Sequence, residues 1–176
     1  MKFNRDAPEL DATDRSILEL LQENCKQPLA AIGEKVGLSA PAVVERIHKL
    51  EEAGVVLSYT ALLDARRLGK DVTAFIGVGA TPDALRAVEG AVAGMDEVLE
   101  CHHVTGVHTL MLKVKTNNTA SLERLIEDVR SFSGVSRTET MVVLSTQTER
   151  TRIALDADGQ ELQPPRRPGV RRRGIR

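Results

Sequence analysis

The chain has 176 residues, 41% hydrophobic and 28% charged, enough for one compact domain or two small ones. No apolar run approaches the roughly 18 residues of a membrane span, the opening MKFNRDAPELDATD lacks the apolar core of a secretory signal, and Cys25 and Cys101 have no C-x-x-C spacing. The net charge is −1, but six of the 24 basic residues are arginines within residues 164–176, a stretch with no acid, so the body is acidic.

These features lead us to expect a cytoplasmic protein with reduced thiols, no membrane contact and a core built from Val, Leu, Ile and Ala. Residues 1–9 read as a polar tail, and a helical block follows over residues 10–57. Asp11 suits a helix N-cap, and Asp14 three residues on favours the positive helix end. Ile17, Leu18 and Leu21 then share a face. A break at Gln27-Pro28 starts a short second helix with Leu29, Ile32 and Val36 as its stripe, closed by Gly37. Ser39 is the expected N-cap of a third helix, with Pro41 in the first turn, where its missing N–H costs nothing. Val43, Ile47 and Leu50 make the buried stripe of that helix, and Gly54 suits its C-terminal end. Three short helices with a tight glycine turn between the second and third describe a helix-turn-helix. The β-rich run Val55-Val56-Leu57, continuing to Tyr59, either pairs as a small wing or leads out of the domain.

Residues 58–71 read as a linker with one helical turn. Strand and helix signals then alternate over residues 72–155: strands at 72–80, 98–104, 108–114 and 135–146, with residues 151–155 as an optional extra strand. One helix opens at Pro82 with Leu85, Val88 and Val92 on one face; another starts at Asn117-Asn118-Thr119 and carries Leu122, Leu125, Ile126 and Val129. The order β-α-β-β-α-β predicts a four-stranded antiparallel sheet with both helices on one face, a ferredoxin-like domain. The whole is an α+β chain: an N-terminal (winged) helix-turn-helix followed by a ferredoxin-like domain. Residues 156–176 are rich in Pro, Gly and Arg and read as a basic disordered tail.

The third helix leaves Ser39, Ala40, Pro41, Val44, Glu45, Arg46, His48 and Lys49 off its buried stripe. Arg46 and Lys49 offer cations for phosphates, and Glu45 and His48 offer groups for base edges. Ser39 and the helix N-terminus offer phosphate donors. Acids outnumber bases eight to five over residues 10–57, so DNA binding needs several copies acting together.

These residues resemble the Lrp/AsnC family of regulators (leucine-responsive regulatory protein and asparagine-synthesis regulator). The likeness rests on Leu10-Asp11, Asp14 with Ile17-Leu18, Val36-Gly37-Leu38-Ser39, Arg46-Ile47, Leu50-Glu51 and Gly54-Val55-Val56. It continues in Tyr59 before Leu68-Gly69, Val98-Leu99-Glu100-Cys101, Val104-Thr105-Gly106, and Gly134-Val135 followed by Thr138-Glu139-Thr140. The resemblance implies a transcription regulator on double-stranded DNA, not an enzyme, with no cofactor. It implies a homodimer formed through the C-terminal sheet and assembling to an octamer. It also implies a small effector, such as an amino acid, bound between C-terminal domains. The residues this places at the effector are Val104, Thr105, Gly106, Val107, His108 and Thr109 of the loop, with Thr138 and Thr140. Many relatives carry Asp where this chain has Thr109, and an aromatic residue at the position of His108.

Two further readings compete. If Thr105-Gly106 is a tight hairpin turn, His103 faces His108, and with Cys101 these form a metal-sensing set. Siroheme decarboxylases also resemble this family, and His102, His103 and His108 are the candidate proton donors for such an enzyme.

Overall fold

The computed structural model describes residues 8–155; residues 1–7 and the expected basic tail, 156–176, lie outside them. The chain divides into a helical unit, up to Thr60 and rejoined by the chain from Arg150, and a sheet unit, Ala61–Glu149.

In the helical unit, α1 spans Ala12–Glu23, α2 Leu29–Val36 and α3 Ala40–Glu52. A reciprocal capping box opens α1: the Asp14 N–H donates to Asp11 Oδ1 at 2.7 Å and the Asp11 N–H to Asp14 Oδ2 at 3.2 Å. Gly37, at φ 72°, ends α2 in the left-handed conformation. Ser39 caps α3 by accepting from the Ala42 N–H. Ile17, Leu18, Ile32, Val43, Ile47 and Leu50 form the core. Leu29, expected in the α2 stripe, is instead exposed.

Residues 55–59 form no strand, so the wing is not built there. The Val55 and Val56 N–H groups donate to the Leu50 carbonyl, and both side chains close the helical core. Residues 151–155 likewise add no strand. Their Leu155 packs on the helical core.

The sheet unit begins with a single 3-10 turn, Arg66–Leu68. Its strands are β1 Val72–Ala80, β2 Val98–His103, β3 Leu110–Thr116 and β4 Val135–Val142, all antiparallel in the order β2-β3-β1-β4. Helices α4 (Leu85–Ala93) and α5 (Thr119–Ser131) pack Val88, Val92, Leu122, Leu125 and Val129 onto Ala74, Ile76, Val78, Leu110, Leu112 and Val114. Alternation along each strand leaves Phe75, Gly77, Met111, Lys113, Glu139 and Met141 on the opposite face. This is the expected β-α-β-β-α-β order. β3 starts two residues later than expected and β4 ends at Val142. No described helix is long and apolar enough to cross a membrane.

Candidate nucleic-acid interface and effector loop

The turn that presents α3 is unusually close. A Cβ on Gly33 of α2 would sit 2.4 Å from the Leu38 carbonyl oxygen, so only glycine fits that position. The Leu38 N–H in turn donates to the Gly33 carbonyl at 2.9 Å. Sequence reading missed this residue, because its requirement comes from a neighbour five residues away.

On α3 itself, Ser39, Pro41, Val44, Glu45, His48 and Lys49 are exposed, whereas Ala40 and Arg46 are half-buried. Lys49 Nζ pairs with Glu45 at 2.8 Å, and His48 Nε2 lies 3.4 Å from Glu52. Arg46 is turned away from this surface. Its Nη1 binds Asp11 Oδ2 and Asp14 Oδ1, both at 2.7 Å, tying α3 to the capping box of α1. The two carboxylates raise the guanidinium pKa further, and the Asp14 N–H and then Arg46 hold the Asp11 carboxyl below its ordinary value. Lys49 likewise lowers Glu45. The expected cations are present, but each has a carboxylate partner. Val44, 47% exposed, gives the face an apolar contact point.

In the sheet unit, the expected effector loop, residues 104–109, closes with the Val104 N–H donating to the Thr109 carbonyl at 3.0 Å. Gly106 sits at φ 114°, where a side chain is strained. Thr109 is taken up by β1: its N–H donates to the Val78 carbonyl, and its hydroxyl lies 3.2 Å from both the N–H and carbonyl of Ala80. His108 lies over Gly77, where a Cβ would come within 2.5 Å of the ring. Its Nε2 meets Glu139 Oε2 at 2.8 Å, its side chain is 12% exposed, and Nδ1 is buried with no partner. The Arg137 guanidinium donates to the Val107 carbonyl.

Thr138 and Thr140 do not join this loop. They pair in register with Val78 and Ile76 and share the helix-facing side, so the residues brought to the loop are their neighbours Arg137 and Glu139. A T-x-T pattern states that two threonines share a face. Which face requires the register of β4 against β1.

The metal-sensing set does not assemble. His103 pairs with Leu110, not His108, and Cys101 pairs with Leu112; both therefore lie on the helix-facing side while His108 is on the other. Burial, and then Glu89, pushes the Cys101 thiol up, away from the thiolate a metal needs. Among the described residues no group of three or more His, Cys, Asp or Glu is placed to hold a metal ion. The decarboxylase reading fares no better, because His102 is paired with Glu100 and His108 with Glu139. Carboxylates beside the proton donors repel a polycarboxylate substrate.

Comparisons with known proteins agree on both units. The family model of the AsnC-type helix-turn-helix domain matches residues 10–51, and that of the Lrp/AsnC ligand binding domain matches residues 73–153. The HTH-type transcriptional regulator FL11 of Pyrococcus horikoshii is 34% identical over 146 residues, 83% of this chain and 97% of its own. A Neisseria meningitidis transcriptional regulator, solved as a complex with L-Met, superposes with a TM-score of 0.80 at 30% identity, over 84% of this chain and 98% of its own. The AsnC structure of E. coli gives 0.77 at 27% identity, over 82% and 99%.

Proposed function

The chain belongs to the Lrp/AsnC family of helix-turn-helix transcription regulators, and on that premise we propose that α3 reads the DNA major groove through Val44, Glu45, His48 and Lys49. Ser39, Ala40 and Pro41, at the start of the helix, approach the phosphates. Arg46 acts as a positioning residue that fixes α3 against α1. The observation that carries this reading is the division of α3 into a buried stripe, Val43, Ile47 and Leu50, and an exposed opposite side. The paired carboxylates are exchanged for phosphates on docking, since neither Glu45 nor Glu52 is buried against the fold.

The helical unit is poor in free positive charge, which favours a dimer or larger assembly placing several copies of α3 on one DNA. We infer that copies associate through the exposed sheet face bearing Phe75 and Met141. The effector is a small molecule at the loop of residues 104–109, an amino acid by analogy with the L-Met complex of the Neisseria regulator. The protein acts as a cytoplasmic regulator and not as an enzyme. Footprinting on DNA upstream of its own coding region, with and without pooled amino acids, tests both parts. Protection repeating at about one helical turn is expected, with one amino-acid pool shifting the pattern. Absence of protection at low salt, where phosphate contacts are strongest, on this and on unrelated DNA overturns the reading.

A further inference from the structure

The first turn of α3 is built without a polar side chain. After the Ser39 cap come Ala40, Pro41, Ala42, Val43 and Val44, and the first side chain able to hydrogen-bond a base is that of Glu45. The main chain offers no substitute. Pro41 has no N–H, and the N–H groups of Ala42 and Val43 both donate to Ser39, at 3.4 Å to its hydroxyl and 3.0 Å to its carbonyl. Val43 is fully buried in the core, whereas Val44 is 47% exposed. Pro41, three residues before it, and His48, four after it, continue the line of Val44 along the helix. Glu45 and Lys49 stand on the other flank, bound to each other at 2.8 Å, where with Asp14 and Arg46 they border a cavity of about 560 Å³.

A helix docked in the major groove meets base edges chiefly with its N-terminal residues. Those edges carry hydrogen-bond donors and acceptors and one apolar substituent, the 5-methyl group of thymine. A side chain without donor or acceptor can tell bases apart there only by that methyl. We propose that Val44 is a specificity-determining residue that packs on the 5-methyl group of one thymine in each half-site. The proposal rests on α3 reading DNA. Valine suits the task, because branching at Cβ leaves it essentially one χ1 rotamer in a helix. Its methyl groups are therefore in place before DNA arrives. The position should favour thymine over uracil and 5-methylcytosine over cytosine, since each pair differs by a methyl on the same ring carbon.

The test uses the duplex that the full chain selects best from a random pool, with each thymine replaced in turn by uracil. Uracil keeps every hydrogen-bonding group of thymine and lacks only the methyl. One thymine in each half-site should stand out: its replacement should weaken binding about fourfold, the worth of one buried methyl group. In Val44→Ala the same replacement should cost nothing, whereas Val44→Ile, which keeps a branched apolar side chain, should retain the discrimination. Val44 is exposed, so both variants should melt like the wild type. With cytosine at that position, adding its 5-methyl group should strengthen binding by the wild type and not by Val44→Ala. A flat uracil scan, with Lys49→Ala or His48→Ala still lowering preference for the selected duplex over random DNA, overturns the methyl contact and leaves α3 as the reader. A uracil penalty of equal size in the wild type and in Val44→Ala overturns Val44 as its source. No preferred duplex, or a preference unchanged in Val44→Ala, His48→Ala and Lys49→Ala alike, overturns the reading of DNA by α3 on which the proposal stands.

Discussion

Replacing Gly33 with alanine tests whether the close turn between α2 and α3 is what sets the position of α3. Two effects oppose each other. In a helix interior alanine is favoured over glycine by roughly 0.5–1 kcal/mol, through the entropy the unfolded chain loses. Against that, the new Cβ would stand 2.4 Å from the Leu38 oxygen. An ordinary carbon–oxygen contact is about 3.3 Å, so the turn must open by close to 1 Å. The partner is backbone, which cannot rotate aside as a side chain does. Such overpacking costs about 1–3 kcal/mol, and the Leu38–Gly33 hydrogen bond, worth about 0.5–1.5 kcal/mol, weakens as the turn opens. The net expectation is a loss of about 1–3 kcal/mol.

Gly90 supplies the matched control. It is also inside a helix, α4, but a Cβ there meets nothing within 4 Å. Gly90→Ala should therefore stabilise the sheet unit by about 0.5–1 kcal/mol. Urea unfolding followed by circular dichroism compares the two variants. The single tyrosine, Tyr59, belongs to the helical unit, and with no tryptophan present its fluorescence reports that unit alone. A small domain shifts its Tm by about 4–8 °C per kcal/mol, well within resolution. Gly33→Ala should also weaken DNA binding by displacing the Ser39 cap. If Gly33→Ala unfolds at or above the wild-type midpoint, as Gly90→Ala should, the close-approach argument is refuted.

Four further predictions rest on other contacts of the two units. Arg46→Ala should lower the Tm of the helical unit more than Lys49→Ala does, while Lys49→Ala should lower DNA affinity more; the reverse order would return Arg46 to the DNA surface. The Asp11 carboxyl is held below its ordinary 3.8, so its contribution to stability is full above that pH and is lost as pH falls through the lowered folded value. Arg46→Ala should therefore flatten the acid limb of the stability curve, as read by Tm against pH. Gly77→Ala should cost the sheet unit about 1–3 kcal/mol by pushing the His108 ring off Glu139, and that cost should vanish in a His108→Ala background; additive losses would show that the ring and the glycine do not share the space. Tyr59, pushed up to about 12 by burial and then by its 2.7 Å hydrogen bond to Glu51, should ionise late in a near-ultraviolet titration. Its stabilising effect is full below pH 10.0, the ordinary value, and is lost as pH rises towards 12; Glu51→Gln should bring the midpoint down, and an unmoved midpoint would remove Glu51 as a cause.

What was legible in the sequence was local. Capping by Asp11 and Ser39, the stripe of Val43, Ile47 and Leu50, and the strand from Val72 to Ala80 all depend on residues within a turn or two of each other. The pairings it did not reveal are set by neighbours distant in the chain. Arg46 looks like a surface cation because the spacing of α3 places it off the buried stripe, yet Asp11 and Asp14 lie 35 and 32 residues away and capture it. Residues 151–155 alternate well enough for a strand, but the partner available to Ile153 is the Gln22 amide, 131 residues away.

The loop of residues 104–109 shows how a single nonlocal fact rearranges a neighbourhood. Alternation alone divides β4 into two sets, Thr138 and Thr140 against Arg137 and Glu139. It does not say which set meets the helices. β1 settles this, because Ile76 and Val78 are fully buried beneath α4 and α5 and pair directly with Thr140 and Thr138. Glu139 must then oppose Gly77 on the other face, and Gly77 lacks the side chain that would keep the His108 ring away. The absence of one Cβ on β1 thus lets a loop histidine reach a carboxylate on β4. The loop therefore presents the His108–Glu139 pair, with Thr109 already committed to the backbone of Ala80.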